Sequence, residues 1–459
     1  MSVKFERSIE LPVSAETAFA WHERPGAFIR LRPPWQQTHL LAHKGGIKRG
    51  ACVSIETKLG PLEQRWEIEH GEFEQGRLFT DRLLEGPFKS WQHRHVFEPI
   101  SEKLSTLHDR LEIEAPLGAI GRLGEPFLRD LLSRVFAYRH RLTLEDLMRG
   151  QAWGKAITNG TVLIAGITGT IGQALAGYLQ TRGYRVAGLS RSGKSPWPGL
   201  DMYDWDPAEG RVAQDLPNDV AVVINLAGES IIGRWTTEKR RRIIESRTRP
   251  IEVLSAFMKD RGIEPDLWIN ASGVGYYGPR GESVFGEESP LGSGFLAEVC
   301  RDWEAAAMTN DVAKRTIAGR FGVVMSAAGG ALKQMLPAFN VGAGGPLGNK
   351  AAYMPWITLL DLVYALEHCM QHPEISGPVN FTAPGAVTQA GFARALGKAV
   401  KRPAFLPTPA APLKLVFGDM ATETLLIDQQ VEPSVLKQTG FRWSFPEIED
   451  ALKFELGRL

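Results

Sequence analysis

The chain has 459 residues, 53 basic and 52 acidic side chains, 43% hydrophobic residues, 48 glycines and three cysteines. Its length exceeds one ordinary core and calls for two or three domains, its hydrophobic content argues against disorder, and its charge balance argues against a nucleic-acid binder. Cys52, Cys300 and Cys369 are too scattered for a disulfide framework or a zinc spacing. With no cationic leader and no run near ~18 apolar residues, a cytoplasmic protein without membrane insertion is expected.

Eight of the ten histidines precede residue 151 while 36 of the 48 glycines follow it or lie beyond, so two differently built domains are expected: 1–150, a linker at 151–159, and 160–459. In chain order, residues 3–10 alternate as a strand, and Ser14 is placed to cap a helix carrying Ala18, Phe19 and Trp21. Strand-like runs follow at 51–58, 63–72, 78–84, 90–98 and 103–114, separated by turn residues as in an antiparallel meander. Leucines, Val135 and Phe136 then recur near helical spacing over 126–148. The sum is an α+β domain in which a curved sheet grips one long helix.

Period two places Trp91, His93, His95 and Phe97 on one face, and Asp109 among Leu107, Leu111 and Ile113 on the next strand. Three readings stay open: a hydrogen-bonded cluster tying the sheet together, polar anchors in a ligand cavity, or a His-x-His metal site. The cluster is favoured and no metal is assigned, since no third ligand is suitably spaced along the chain. With the stretch HRHVFE…LHDRLEIEAPLG…FAYRH, this order of elements resembles the helix-grip fold of the START and polyketide-cyclase superfamily. That resemblance implies an apolar ligand between sheet and helix.

The apolar run 161–165 leads into Gly166, Thr168, Gly169, Thr170, Ile171 and Gly172, then a helix-favouring segment. Strand, glycine loop and helix start form a dinucleotide cradle, in which backbone amides and the helix N-terminus face a pyrophosphate. The next strand, 184–189, ends at Ser190-Arg191. Arginine where an acid would bind the ribose hydroxyls favours NADP(H) over NAD(H). A third strand, 220–224, closes on Asn225, Leu226, Ala227 and Gly228, beside the expected nicotinamide ribose, and a fourth, 267–270, runs into Ser272, Tyr276 and Tyr277. These alternating elements describe a Rossmann-type, doubly wound α/β domain.

AGITGTIG, INLAGESIIGRWTTEKR, SGVGYYG, FLAEVCRDWEAAA, GVVMSAAGGALKQMLPAF, GPVNFTAP and GFRW, in this order, resemble the atypical extended short-chain dehydrogenase/reductases labelled NAD-dependent epimerase/dehydratase-like. The resemblance spans 160–459 and implies a substrate-side region from about 385. The wider superfamily relies on a Tyr-x-x-x-Lys pair, absent from FLAEVCRDWE. Ser272, Tyr276 and Tyr277 are the substitutes expected for catalysis, with Arg247, Arg301, Arg320 and Trp356 on the substrate side. The implied function is an NADP(H)-dependent oxidoreductase or epimerase-like enzyme acting on a small molecule; the alternative is a non-catalytic NADP(H)-binding sensor.

Overall fold

The structure is a computed structural model that describes residues 2–59, 62–116, 124–153, 159–279 and 283–459. The first half holds β1 (Ser2–Leu11), α1 (Ala15–Glu23), α2 (Ala27–Arg30), β2 (Thr38–Lys44), β3 (Cys52–Leu59), β4 (Leu62–Glu74), β5 (Leu78–Glu85), β6 (Ser90–Ser101), β7 (Leu104–Glu114) and α3 (Glu125–Trp153). The seven strands form one antiparallel sheet in the order β1-β7-β6-β5-β4-β3-β2. β2 was not expected from the sequence: none of its side chains is buried and a register shift interrupts it at Leu40/Ala42, so the alternation that marks a strand is missing. Ser14 caps α1 as expected, its side chain accepting from the Thr17 amide at 3.2 Å. Ser14→Ala should lower stability by about 1 kcal/mol, read as a shift of the urea midpoint at unchanged m-value.

The inner faces of β6 and β7 pack against α3. Leu111 and Ile113 meet Leu132, Val135 and Phe136 there, and the His93 ring stands edge-on to Phe136 at 5.3 Å. Asp109 accepts from His93 Nε2 at 2.9 Å and His140 Nε2 at 2.6 Å, a buried polar tie between sheet and helix.

In the second half, β8 (Thr161–Ala165), α4 (Thr170–Arg182), β9 (Arg185–Ser190), β10 (Asp201–Asp206), β11 (Arg211–Val212), β12 (Val220–Asn225), α5 (Thr237–Asp260), β13 (Leu267–Gly273), α6 (Phe295–Met308), β14 (Thr316–Phe321), α7 (Gly330–Asn340), α8 (Leu359–Gln371) and β15 (Gly377–Phe381) follow. Eight strands lie in the order β11-β10-β9-β8-β12-β13-β14-β15, parallel except for β11. Every residue of β8 is buried and β12 is nearly so, because helices cover both faces of a parallel sheet. The strand order reverses between β8 and β12, and the crevice beyond their C-terminal ends is where such sheets bind ligands.

The linker expected over 151–159 begins as helix. α3 runs on to Trp153, and 154–158 lie outside the described residues. The two halves share one hydrophobic core, in which Ile29, Tyr138 and Leu142 pack with Ile164, Leu179 and Tyr364. Asp146 of α3 accepts two bonds from Arg30 and one from the Tyr364 hydroxyl of α8, at 2.6 to 3.1 Å. Among the described residues no helix is long and apolar enough to cross a membrane.

Candidate functional site

The glycine loop between β8 and α4 has the shape a phosphate requires. Gly166 has φ +79°, and a Cβ there would lie 2.8 Å from the Leu226 backbone. At Gly172 a Cβ would lie 2.5 Å from the Gly166 carbonyl oxygen and 2.6 Å from Ile167 Cα. α4 begins after Gly169, whose lack of a side chain leaves the first amides of the helix without a side-chain cap. Thr168 and Gly169 are exposed at the crown of the loop, with Thr170 and Ile171 partly buried behind them. The Leu226 amide bonds to Ala165 O at 2.9 Å, which fixes the Asn225–Gly228 backbone beside the loop. Asn225 is buried, donating to Asn270 Oδ1 at 2.7 Å and accepting from the Ala227 amide. Its side chain therefore shapes the loop from within.

At the end of β9, Ser190 is 8% exposed and its hydroxyl has no partner, while Arg191 beside it is exposed. A buried hydroxyl without a bond is costly unless a ligand completes it. Asp204, opposite Ser190 on β10, is engaged by Arg211. The residues present therefore fit a nucleotide with its pyrophosphate over Gly166–Gly172 and its ribose at Ser190 and Arg191.

At the C-terminal ends of β13 and β14, a buried network occupies the position where the sequence leads one to expect catalysis. Arg320 grips Glu304 through two bonds of 2.8 and 2.9 Å, and its Nη1 donates to the Tyr277 hydroxyl at 2.9 Å and to Glu287 O at 3.0 Å. Ser272 donates to Glu304 Oε1 at 2.7 Å, and Tyr277 donates to Asn380 Oδ1 at 2.7 Å. The Tyr276 ring lies 3.5 Å from the Arg320 guanidinium carbon, a stacked cation–π contact. Glu287 accepts three backbone amides, from Asn380, Ser434 and Val435, which ties the C-terminal segment to this network.

The expected catalytic set is thus only partly placed to act. Tyr277 is 1% exposed and burial pushes its hydroxyl up to about 12, so it is a strut rather than a proton donor. Ser272, at the end of β13, is also buried, its hydroxyl held by Glu304, while Tyr276 is partly buried. Cys300 and Glu304 stand four residues apart on α6, the spacing of the missing Tyr and Lys, and burial pushes the Cys300 thiol up to about 11. A neutral thiol at that position is no nucleophile.

Of the expected substrate-side residues, Arg247 lies against the loop: it bonds to Glu229 O and Ile243 O, covers the Trp303 ring at 4.9 Å, and would be met at 3.5 Å by a Cβ on Gly228. Arg320 belongs to the buried network. Two placements are corrected. Arg301 is on the outer face of α6, exposed and bonded to Asp302, because it stands three residues from exposed Glu298 and four from exposed Ala305, on the stripe that turns to solvent. Trp356 is 1% exposed with its Nε1 donating to Gly385 O, a core residue with no face for substrate. Asn380 and Glu287 were missed as site residues, although Asn380 lies within the motif GPVNFTAP. Glu423, also missed, bonds the first amides of α6 at 2.8 and 3.1 Å.

A pocket of about 740 Å³ opens where the two halves meet, lined by 33–39, Tyr138, Thr168, Thr170, Lys333 and Glu455 among others. Thr168 and Thr170 of the glycine loop line it, and none of Ser272, Tyr277, Glu304 and Arg320 does.

The sequence matches the NAD dependent epimerase/dehydratase family over residues 162–381 and a domain of unknown function, DUF1731, over 408–455. The epimerase family protein Mb2239 of Mycobacterium bovis is 40% identical over 304 residues, covering 66% of this chain and 99% of the relative. The chain belongs to the epimerase family. Human epimerase family protein SDR39U1 is 37% identical over 64% of this chain and 98% of its own length. Its crystal structure with NADPH (isoform 2) superposes with TM-score 0.59 at 34% identity, over 65% of this chain and all of that one. The crystal structure of a nucleoside-diphosphate sugar epimerase from Corynebacterium glutamicum superposes with TM-score 0.78 at 31% identity. It covers 99% of this chain and 90% of its own, so the epimerase-family chain has a structural counterpart that includes the antiparallel N-terminal half.

Proposed function

We propose that this epimerase-family chain is a cytoplasmic NADP(H)-dependent oxidoreductase or epimerase-like enzyme of a small-molecule substrate. One observation carries the cofactor choice: the unpartnered, buried Ser190 hydroxyl beside the exposed Arg191 at the end of β9. A 2′-phosphate would accept from both. The NADPH in the human relative supports the same choice, and three free cysteines support a reducing compartment. Arg191→Ala should raise the dissociation constant of NADPH about tenfold, about 1.4 kcal/mol, and leave that of NADH unchanged. Equal losses for both cofactors in fluorescence titrations would overturn the assignment.

Bound nicotinamide supplies hydride exchange. For the chain's part, Arg320 compensates the Glu304 charge, and Glu304 holds the Ser272 hydroxyl at the end of β13. Turning from Glu304, that hydroxyl would donate to a substrate oxygen, with Tyr276 as neighbour. The test is NADPH oxidation across a panel of carbonyl and enone substrates, lost in Ser272→Ala with NADPH binding intact. A second reading, a non-catalytic NADP(H) sensor, is favoured by the closure of the Ser272–Glu304–Arg320–Tyr277–Asn380 network upon itself; it gains if no substrate in the panel is turned over.

For the N-terminal half, the START-like reading would place an apolar ligand between sheet and helix. Its support is the order of elements, seven antiparallel strands and one long helix. Native mass spectrometry of the fresh protein would reveal such a ligand as added mass.

A further inference from the structure

The inner face of the N-terminal sheet gathers imidazoles and carboxylates far from the nucleotide crevice. Asp81 on β5 pairs with His93 on β6, and His95 lies two residues further along the same face. One ligand atom from each of the three comes within 4.8 Å of the others. We infer that Asp81, His93 and His95 form a binding site for a divalent transition metal ion, with zinc the ion best suited to two imidazoles and a carboxylate.

Spacing is the first argument. Asp81 Oδ2 lies 3.5 Å from His93 Nδ1 and 3.4 Å from His95 Nε2. Charge-assisted hydrogen bonds to a carboxylate draw in to about 2.7 to 2.9 Å. Ligand atoms at the corners of a tetrahedron with metal bonds of about 2.0 to 2.1 Å stand roughly 3.3 to 3.4 Å apart. Asp81 Oδ2 therefore keeps from each imidazole the separation of ligands around an ion, longer than a charge-assisted bond draws in, and the two imidazole nitrogens lie within 4.8 Å of each other.

The second argument is what stands behind the ligands. The remaining nitrogen of His93 bonds to a carboxylate, Nε2 at 2.9 Å from Asp109 Oδ1, and His95 Nδ1 lies 2.7 Å from the same oxygen without hydrogen-bond geometry. Asp109 is in turn held by His140 Nε2 of α3 at 2.6 Å. A buried carboxylate behind metal-binding imidazoles fixes their tautomer and raises their basicity. Three ligands leave a fourth tetrahedral position for water. Spacing along the chain could not reveal the set, because Asp81 reaches the His-x-His pair across a strand register.

The site is independent of the nucleotide-binding reading, and its test needs no substrate. The untagged full-length chain is stripped with chelator and titrated with Co²⁺, then with Zn²⁺, and metal content is measured after gel filtration. The expected result is one equivalent of zinc retained per chain, with intense ligand-field bands of tetrahedral cobalt that zinc abolishes. Asp81→Asn and His95→Gln should each weaken cobalt binding at least tenfold while circular dichroism remains that of the folded chain. If the wild-type chain retains no metal and excess Co²⁺ gives only the weak bands of the hydrated ion, the proposal fails whatever the variants do. Bands unchanged in folded His95→Gln would also overturn it.

Discussion

Replacing Gly172 by valine is expected to raise the NADPH dissociation constant at least about a hundredfold, about 2.7 kcal/mol, in a chain that still folds. The first atom added, Cβ, would stand 2.5 Å from the Gly166 carbonyl oxygen and 2.6 Å from Ile167 Cα. Both obstacles are backbone, so no side-chain rotation relieves them. The loop must open, yet its far side rests on the Leu226 backbone, 2.8 Å from where a Gly166 Cβ would be. The amides that would cradle the pyrophosphate then leave their positions, and misplacement by about 1 Å suffices for a hundredfold loss at a preorganised site. Gly169→Ala is the control: its Cβ meets nothing nearer than Gly166 O at 3.3 Å, and it should cost less than about tenfold. Calorimetric titration of both variants decides. NADPH bound to Gly172→Val as tightly as to the wild type would move the phosphate off this loop.

That loop was legible in the sequence because its chemistry is local. Gly166 and Gly172 are demanded by backbone approach within a few residues, and the buried TVLIA run announces the strand that feeds them. The antiparallel strands of the first half were legible for a similar reason, alternation, and β2 escaped because no side chain of it is buried. Gly150, the residue before the linker expected at 151–159, sits within α3, where a Cβ would come 3.0 Å from Arg182 Nη1. The glycine serves a close approach between the two halves, and no local pattern carries that information. Arg301 and Arg320 look alike as charged residues expected on the substrate side, and only the rotation of α6 and the end of β14 send one to solvent and the other to Glu304. Asp81 and Glu287 act through partners on other elements, beyond the reach of spacing.

Arg320→Ala is expected to destabilise the chain by about 3 to 5 kcal/mol. Arg320 is 3% and Glu304 7% exposed, so the pair is desolvated, and its two bonds hold the carboxylate between β14 and α6. Truncating the arginine leaves Glu304 a buried charge with the Ser272 hydroxyl for company, strips the Tyr277 hydroxyl of a donor and removes the cation from the Tyr276 ring. Because most of that cost comes from the orphaned carboxylate, removing both charges should restore much of it: Arg320→Met with Glu304→Gln should lie within about 1 to 2 kcal/mol of the wild type. Urea unfolding of both single variants and the double variant measures the coupling. Additive losses would mean that the pair does not act as a unit. Where the wild type turns over a substrate, a double variant that folds and binds NADPH but turns over none would separate the two uses of this corner, since the nucleotide would rest on the glycine loop and the proposed reacting hydroxyl on Glu304. The double variant therefore distinguishes an enzyme that has exchanged its Tyr and Lys for Ser272 and Glu304 from a fold that kept the crevice and closed its catalytic corner with a salt bridge.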